Sequence, residues 1–335
     1  MALLFMDGFD HYATADITKK WNSIVGSMTI FPIDGRRGGG AAGGNPSGSE
    51  NLNKTLPGSY ATLVFGLALK VDALVSLDIL TLKESATSHL ILRLNATGTL
   101  SVVRAASTVL GTSSTSLSTD AFYYIEIKAT IHDTTGAVEV RVNGVTCLNL
   151  TGQDTRNAGT TGLIDNFVIT GTSGTWRLDD FYVCDTSGTK NNDFLGDVRI
   201  DTLLPNADGT YSQFTPSTGT NHSALVDEAT PNTTDYNDGA TVGNRDSHQF
   251  TNLTSIASQI VYGVQVNAAI QKDDAGAKSA CTFVRSGTTD GDAATAVLGT
   301  AQTYVSQIFE TNPSGGVAWT EASVNAAEFG MKVTA

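Results

Sequence analysis

Hydrophobic positions along this chain recur at every second residue over several stretches. Leu63, Phe65, Leu67, Leu69 and Val71 alternate with other residues, and Leu90, Leu92 and Leu94 repeat the pattern before Asn95-Ala96-Thr97-Gly98. Tyr123, Ile125, Ile127, Ala129 and Ile131 alternate with Tyr124, Glu126, Lys128 and Thr130. A period of two belongs to a strand with one buried face, because successive side chains point to opposite sides. Val138-Glu139-Val140-Arg141-Val142-Asn143-Gly144-Val145 adds a hairpin, since Asn-Gly supplies the two positive φ angles of a type I′ turn. Leu3 to Asp10 reads as a strand entering a turn, and Trp176 to Asp185 as a further strand. No convincing 3.6-residue stripe or heptad run competes. The pattern predicts an all-β protein with helix limited to short turns.

Two stretches break the pattern. Asp34 to Ser49 is dominated by glycine and small residues, which predicts a mobile surface loop; it lacks the Gly-Lys-Ser/Thr ending of a phosphate-binding loop. Thr186 to Asp193 is polar and turn-forming, which places a domain boundary there. The predicted domains are residues 1–188 and 189–335. Phe194 to Ile200 should begin a strand of the second domain. Pro205 to Asn252 is poor in apolar residues, and strands resume at Ile260–Val266, Ala280–Val284, Tyr304–Phe309 and Phe329–Val333. That spacing predicts a second, smaller β-sandwich with a loop-rich docking segment.

Composition agrees with short strands and many turns. Of 335 residues, 40% are hydrophobic and 16% charged, the balance of a folded chain rather than a disordered one. The net charge of −13 is uneven: residues 1–200 carry 15 basic and 19 acidic residues (−4), and residues 201–335 carry 5 and 14 (−9). Nucleic acid is therefore not an expected partner, because phosphate binding needs clustered Lys and Arg. No apolar run approaches the ~18 residues of a membrane-spanning helix, so no membrane insertion is expected. The opening Met-Ala-Leu-Leu-Phe-Met has no basic region before it and runs at once into Asp7 and Asp10, which argues against a secretory signal and for synthesis in a cytoplasm.

The search for chemistry assigns no catalytic residue and no cofactor. Cys147, Cys184 and Cys281 lack metal-ligand spacing and read as buried apolar residues. His11, His89, His132, His222 and His248 are scattered and read as surface or turn residues, with no Gly-x-Ser-x-Gly elbow beside any of them. Asp179 and Asp180 are the candidates for calcium, with strand capping and amide binding as the alternative. Trp21, Trp176 and Trp319 could stack on sugars, but read as core. Within residues 205–252, Tyr211, Phe214, Leu225, Val226, Tyr236 and Phe250 stand at wide spacing. So long a free loop is unusual, which predicts ordering against a partner with Tyr211, Phe214 and Tyr236 as anchors.

Taken in order, Asp7-Gly8-Phe9-Asp10, Tyr123-Tyr124-Ile125-Glu126-Ile127-Lys128, Val138 to Gly144 and Leu178-Asp179-Asp180-Phe181-Tyr182-Val183 resemble the concanavalin-A-like lectin/glucanase superfamily, including laminin-G-like modules. The resemblance covers a little over half the chain and implies a jelly-roll-like sandwich for the first domain. Hydrolases of that superfamily carry Glu-x-Asp-x-x-Glu on one strand; here Lys128 and Ile131 stand where the second and third acids would fall, which disfavours a glycosidase. Phe194-Leu195-Gly196-Asp197-Val198-Arg199, Asn312 to Thr320 and Glu328-Phe329-Gly330 resemble regions of bacteriophage structural proteins. That resemblance implies a virion component: a head decoration, neck or tail fibre assembled as a homo-oligomer, a trimer as first guess, against other virion proteins. A carbohydrate-binding adhesin touching host glycans is the alternative.

Overall fold

A computed structural model describes residues 2–44, 50–171, 175–254 and 259–335. Among the described residues strands account for 51% and helices for 5%, so the fold is all-β. The contacts divide it into two compact units, Met1–Ile200 and Asp201–Ala335. The division therefore falls at Ile200 rather than at the 188/189 boundary read from the polar turn, because residues 193–200 fold onto the first unit.

In the first unit the strands are β1 (Leu3–Asp7), β2 (Ser23–Val25), β3 (Thr29–Phe31), β4 (Ala41–Gly44), β5 (Glu50–Tyr60), β6 (Thr62–Val71), β7 (Leu77–Glu84) and β8 (Thr87–Leu94). They continue with β9 (Thr99–Arg104), β10 (Thr108–Ser116), β11 (Tyr123–Thr130), β12 (Gly136–Val142), β13 (Val145–Gln153), β14 (Ile164–Gly171) and β15 (Trp176–Asp185). One short helix, α1 (Ile17–Lys20), follows β1. Among the described residues, one antiparallel sheet has the order β13-β12-β11-β6-β15-β4-β3, with β1 also on β15; the other runs β10-β9-β8-β7-β14-β5-β2. Their inner faces meet in an aromatic core. Phe65 of β6 and Phe181 of β15 each stand 5.3 Å from Phe167 of β14, and Trp21 lies 4.9 Å from Phe5 of β1. The β12–β13 hairpin turns on Asn143 (φ 50°) and Gly144 (φ 78°), the left-handed pair that its Asn-Gly predicts.

The glycine-rich stretch is not the free loop the sequence suggested. Ala41–Gly44 is a buried strand between β15 and β3. Its glycines are required by close approach: a Cβ on Gly43 would lie 2.3 Å from the Trp176 carbonyl, and one on Gly44 1.3 Å from the Glu50 carboxylate. Residues 34–40 are a turn-rich loop as expected, though tied down by Asp10 and Asp179, and residues 45–49 lie outside the described residues.

The second unit is also two-layered. Its strands are β16 (Pro205–Ser212), β17 (Thr215–Pro216), β18 (Asn237–Asp238), β19 (Arg245–Phe250), β20 (Val264–Ile270), β21 (Ser279–Ser286), β22 (Thr289–Asp292), β23 (Ala296–Val297), β24 (Thr303–Phe309) and β25 (Glu328–Val333). A sheet of order β16-β19-β25-β21-β22, with β23 on β21, is joined by a β20–β24 ribbon. Val266, Val284, Trp319, Val324 and Phe329 form the core between them. Between 205 and 252 the two ends, β16 and β19, are sheet strands, and apart from the short β17–β18 pair the stretch between them is loop-rich, as expected. The end strands escaped a hydrophobic reading because β19 buries Asp246, Ser247 and His248.

The three tryptophans and three cysteines are buried as expected, but the histidines are not all surface residues: His89, His222 and His248 are buried. His222 Nδ1 meets Asp246 Oδ1 at 2.9 Å. Burial pushes Asp246 up to about 6 against the pull of His222, and holds His248 down at about 4.

Candidate binding face

Alternation on β6 gives the first sheet two chemically different sides. Leu63, Phe65, Leu67 and Leu69 face the core, while Gly66 and Ala68 back onto polar residues of β11 and β15. Register places Tyr124 beside Ala68, Glu126 beside Gly66, Tyr182 beside Gly66 and Arg177 beside Lys70. A bulge between Asp179 and Tyr182 puts Asp180 at φ 49° and breaks the strand's alternation there. The outer side of this sheet carries tyrosines, acids and bases instead of a simple solvated surface.

Residues 193–200, of which Phe194–Ile200 were expected as a strand, form an extended strap across that side. The Leu195 N–H donates to Tyr182 Oη (3.1 Å), the Gly196 N–H to Glu126 Oε1 (2.8 Å) and the Ile200 N–H to Asp180 Oδ1 (2.7 Å). Arg36 Nη2 donates to the Val198 carbonyl at 2.6 Å, and the Arg141 guanidinium covers the Phe194 ring at 3.8 Å. The segment is satisfied by side chains of the sheet instead of a neighbouring strand, so no ladder forms.

Arg36 organises the acids beneath the strap. Its Nε lies 2.9 Å from Asp180 Oδ2, its backbone N–H donates to Asp179 Oδ2 at 2.7 Å, and its guanidinium sits 5.0 Å from the Tyr124 ring centre. Burial, then the Asp180 charge, pushes Asp179 up to about 8. Burial also raises Asp180, against the Ile200 N–H and Arg36. Both aspartates named for calcium are thus engaged with N–H donors, which is the amide-binding alternative. Among the described residues no group of three or more His, Cys, Asp or Glu could hold a metal ion. Glu126 accepts from Tyr182 Oη at 2.6 Å as well as from Gly196, and its Oε2 is buried without a hydrogen-bond partner.

Beyond the strap, the end of this side opens into a cavity of about 150 Å³ lined by Asp34, Lys70, Asp72, Asp120, Thr175, Trp176 and Arg177. Arg177 Nε is fixed by Asp34 Oδ2 at 2.8 Å, and its guanidinium lies 3.4 Å from the Phe31 ring centre. Lys70 Nζ sits 5.0 Å from the Phe122 ring centre. Thr175 donates its N–H to Asp72 Oδ1 at 2.9 Å. The cavity combines pre-positioned acceptors and donors, and the aromatic rings at its margin serve to seat the two cations: Phe31 under Arg177 and Phe122 under Lys70. None of these residues was singled out from sequence as a site except Trp176, because they come from four separate segments.

No protein-family model matches this chain, and no curated protein does. Partial likeness to solved structures exists. A Bacillus subtilis protein of unknown function with a galectin-like fold is 13% identical over 55% of this chain and 96% of its own, with a TM-score of 0.39. The carbohydrate-binding module CBM66 of Bacillus subtilis is 9% identical over 48% and 92%, with a TM-score of 0.35. Domain 4 of AbnA, a GH43 extracellular arabinanase of Geobacillus stearothermophilus solved with arabinotriose, is 14% identical over 55% and 92%, at 0.36. Likeness this slight assigns no ligand.

In the second unit the proposed anchors have separate surroundings. Tyr211 Oη donates to Asp290 Oδ2 (2.8 Å) and receives Arg285 Nη1 (3.3 Å), with its ring edge-on to Phe283 at 5.9 Å. Phe214 lies close beside Gly239, whereas Tyr236 is 53% exposed. Among the described residues no helix is long and apolar enough to cross a membrane.

Proposed function

We propose that this protein is a non-enzymatic, glycan-binding attachment protein of a bacteriophage particle, with the first unit touching sugar. One observation carries the sugar reading: the cavity bounded by Lys70, Asp120 and Arg177. A saccharide ring offers hydroxyls that both donate and accept, so it is held by fixed carboxylates and cations such as these. The cavity is below the ~300 Å³ of a drug-sized site, which suits a single ring of a longer chain. Three acids against two bases line it, which favours a neutral sugar over a uronate or sialate.

The particle setting rests on the resemblance of the second half to phage structural proteins. In this reading the acidic second unit docks on other virion proteins as a homo-oligomer, trimeric as first guess, and the exposed Tyr236 is the most available of the three anchors. Tyr211 already spends its hydroxyl within its own unit.

Asp120→Asn is the decisive change, because asparagine tolerates the left-handed backbone of that residue (φ 61°) and the fold should survive. Calorimetric titration with neutral oligosaccharides of the host surface should show binding by the parent, weakened at least about tenfold in Asp120→Asn and in Lys70→Met. Failure of the parent to bind any neutral glycan, or equal binding by both variants, overturns the sugar reading. Absence of the protein from purified particles by quantitative mass spectrometry overturns the virion reading independently.

A further inference from the structure

The turn after β1 and the end of α1 enclose a buried lysine–aspartate pair that the binding face does not use. Lys20 Nζ lies 3.2 Å from Asp7 Oδ1, with the two side chains 3% and 0% exposed. Around them stand Phe5, Phe9 and Trp21, with Lys20 Nζ 5.6 Å from the Phe5 ring centre and Trp21 stacked on Phe9 at 6.1 Å. Asp7 Oδ2 accepts from Tyr12 Oη (2.6 Å) and Trp21 Nε1 (2.8 Å), and Oδ1 from the Phe9 N–H (3.0 Å). His11 Nε2 is 3.4 Å from Lys20 Nζ. From this geometry we infer that Lys20 and Asp7 condense into an intramolecular isopeptide bond, with His11 as the proton carrier.

The environment supplies what amide formation needs. Two charges so deeply buried are costly, and a water-poor aromatic box narrows the gap between the ion pair and the neutral amine–acid pair reached by moving one proton. Burial lowers Lys20, against the pull of Asp7 and Asp10. Burial raises Asp7, while Lys20, His11 and the hydrogen bonds draw it down, so the resting pair is charged. Burial, with Lys20 beside it, brings His11 down to about 3, so its imidazole is neutral at neutral pH and only weakly basic, with a lone pair that can relay a proton and release it again at once. Lys54 donates to the Lys20 carbonyl at 2.6 Å and adds a second positive charge nearby.

In the reactive neutral pair, the Lys20 amine adds to the Asp7 carboxyl carbon and the C=O electron pair moves onto Oδ2. Tyr12 Oη and Trp21 Nε1 already aim at that oxygen and stabilise the charge as an oxyanion hole does. His11 takes the proton from the attacking nitrogen and returns it to Oδ1, whose bond to carbon breaks as water leaves and C=O re-forms at Oδ2. Amine plus acid gives amide plus one water, with no oxidant or further reactant.

The test is intact mass of the full-length folded protein, followed by fragmentation of a proteolytic digest. The parent should be lighter than its sequence by one water, retain the deficit after denaturation, and give a branched peptide joining the Asp7 and Lys20 segments. Lys20→Arg keeps the ion pair but cannot form this bond, so it should fold and show full mass. His11→Gln should slow the loss of water about 100-fold or more. Full sequence mass for the parent after prolonged incubation at neutral pH overturns the inference, as does a deficit that persists in Lys20→Arg.

Discussion

Replacing Arg36 with methionine tests whether one side chain fastens the strap to the sheet. The change keeps an aliphatic stem but removes the guanidinium from between Asp180, Asp197 and the Val198 carbonyl. Arg36 and Asp180 have side chains only 10% and 4% exposed, whereas Asp197 is 49% exposed. Breaking a buried pair from one side costs about 3–5 kcal/mol, and the lost bond to the carbonyl adds about 1 kcal/mol. The contact with Asp197 adds little, because solvent screens an exposed pair. A loss of about 4–6 kcal/mol is expected for the first unit in urea unfolding at neutral pH. Hydrogen exchange should show the Leu195, Gly196 and Ile200 amides losing protection before those of β6 and β15. Arg36→Met with Asp180→Asn should recover about 2 kcal/mol, because no unpaired charge then remains. Asparagine suits the left-handed backbone at residue 180 and keeps an acceptor for the Ile200 N–H. A cost under about 1 kcal/mol, or no recovery in the double variant, would refute the role given to Arg36.

Two other predictions are independent of the strap's tether. Burial pushes the Glu84 carboxyl up, but the Thr161, Leu163 and Gly162 N–H groups and the Thr161 hydroxyl bring it down to about 2. Its folded value lies below its unfolded one, so its stabilisation is present above pH 4.5 and disappears as pH falls toward 2; Glu84→Gln should flatten acid unfolding across that window, and an unchanged profile would refute it. Gly66→Ala should lower the Tm, since its Cβ would lie 2.1 Å from the Tyr182 ring and 2.8 Å from Tyr124 Oη; overpacking of this kind costs about 1–3 kcal/mol, and an unshifted Tm would show the sheet face to be looser than described.

What the sequence made legible follows from what periodicity encodes. β6, β8, β11 and the β12–β13 hairpin alternate because one side is apolar core, so a period of two exposes them. β4 hides because Ala-Ala-Gly-Gly has no alternation; its strand exists through close packing on β15, a tertiary fact. The strap misled for the opposite reason: Phe194, Leu195, Val198 and Ile200 are strand-like, yet they find side chains to bond and no free edge. In the second unit, β19 carries buried polar residues whose partners, such as His222 for Asp246, lie on another segment. Asp179 and Asp180 stood out as adjacent acids, but Arg36 is more than a hundred residues away in sequence, and only the fold brings it to them. Lys70, Asp120 and Arg177 share a cavity for the same reason.

The strap also determines how tension would enter the first unit. It is the last stretch of that unit before the chain continues at Asp201, so a pull transmitted along the backbone reaches Ile200 first. The bonds to Asp180, Arg36, Glu126 and Tyr182 are attached at successive residues and can break in sequence, each lengthening the chain while the sheet stays whole. Only after Asp193 has come away does the load arrive at β15, where it meets the pairing with β6 and β1. An extended segment tied by side chains therefore acts as a yielding tether, able to absorb work before the sandwich itself is strained.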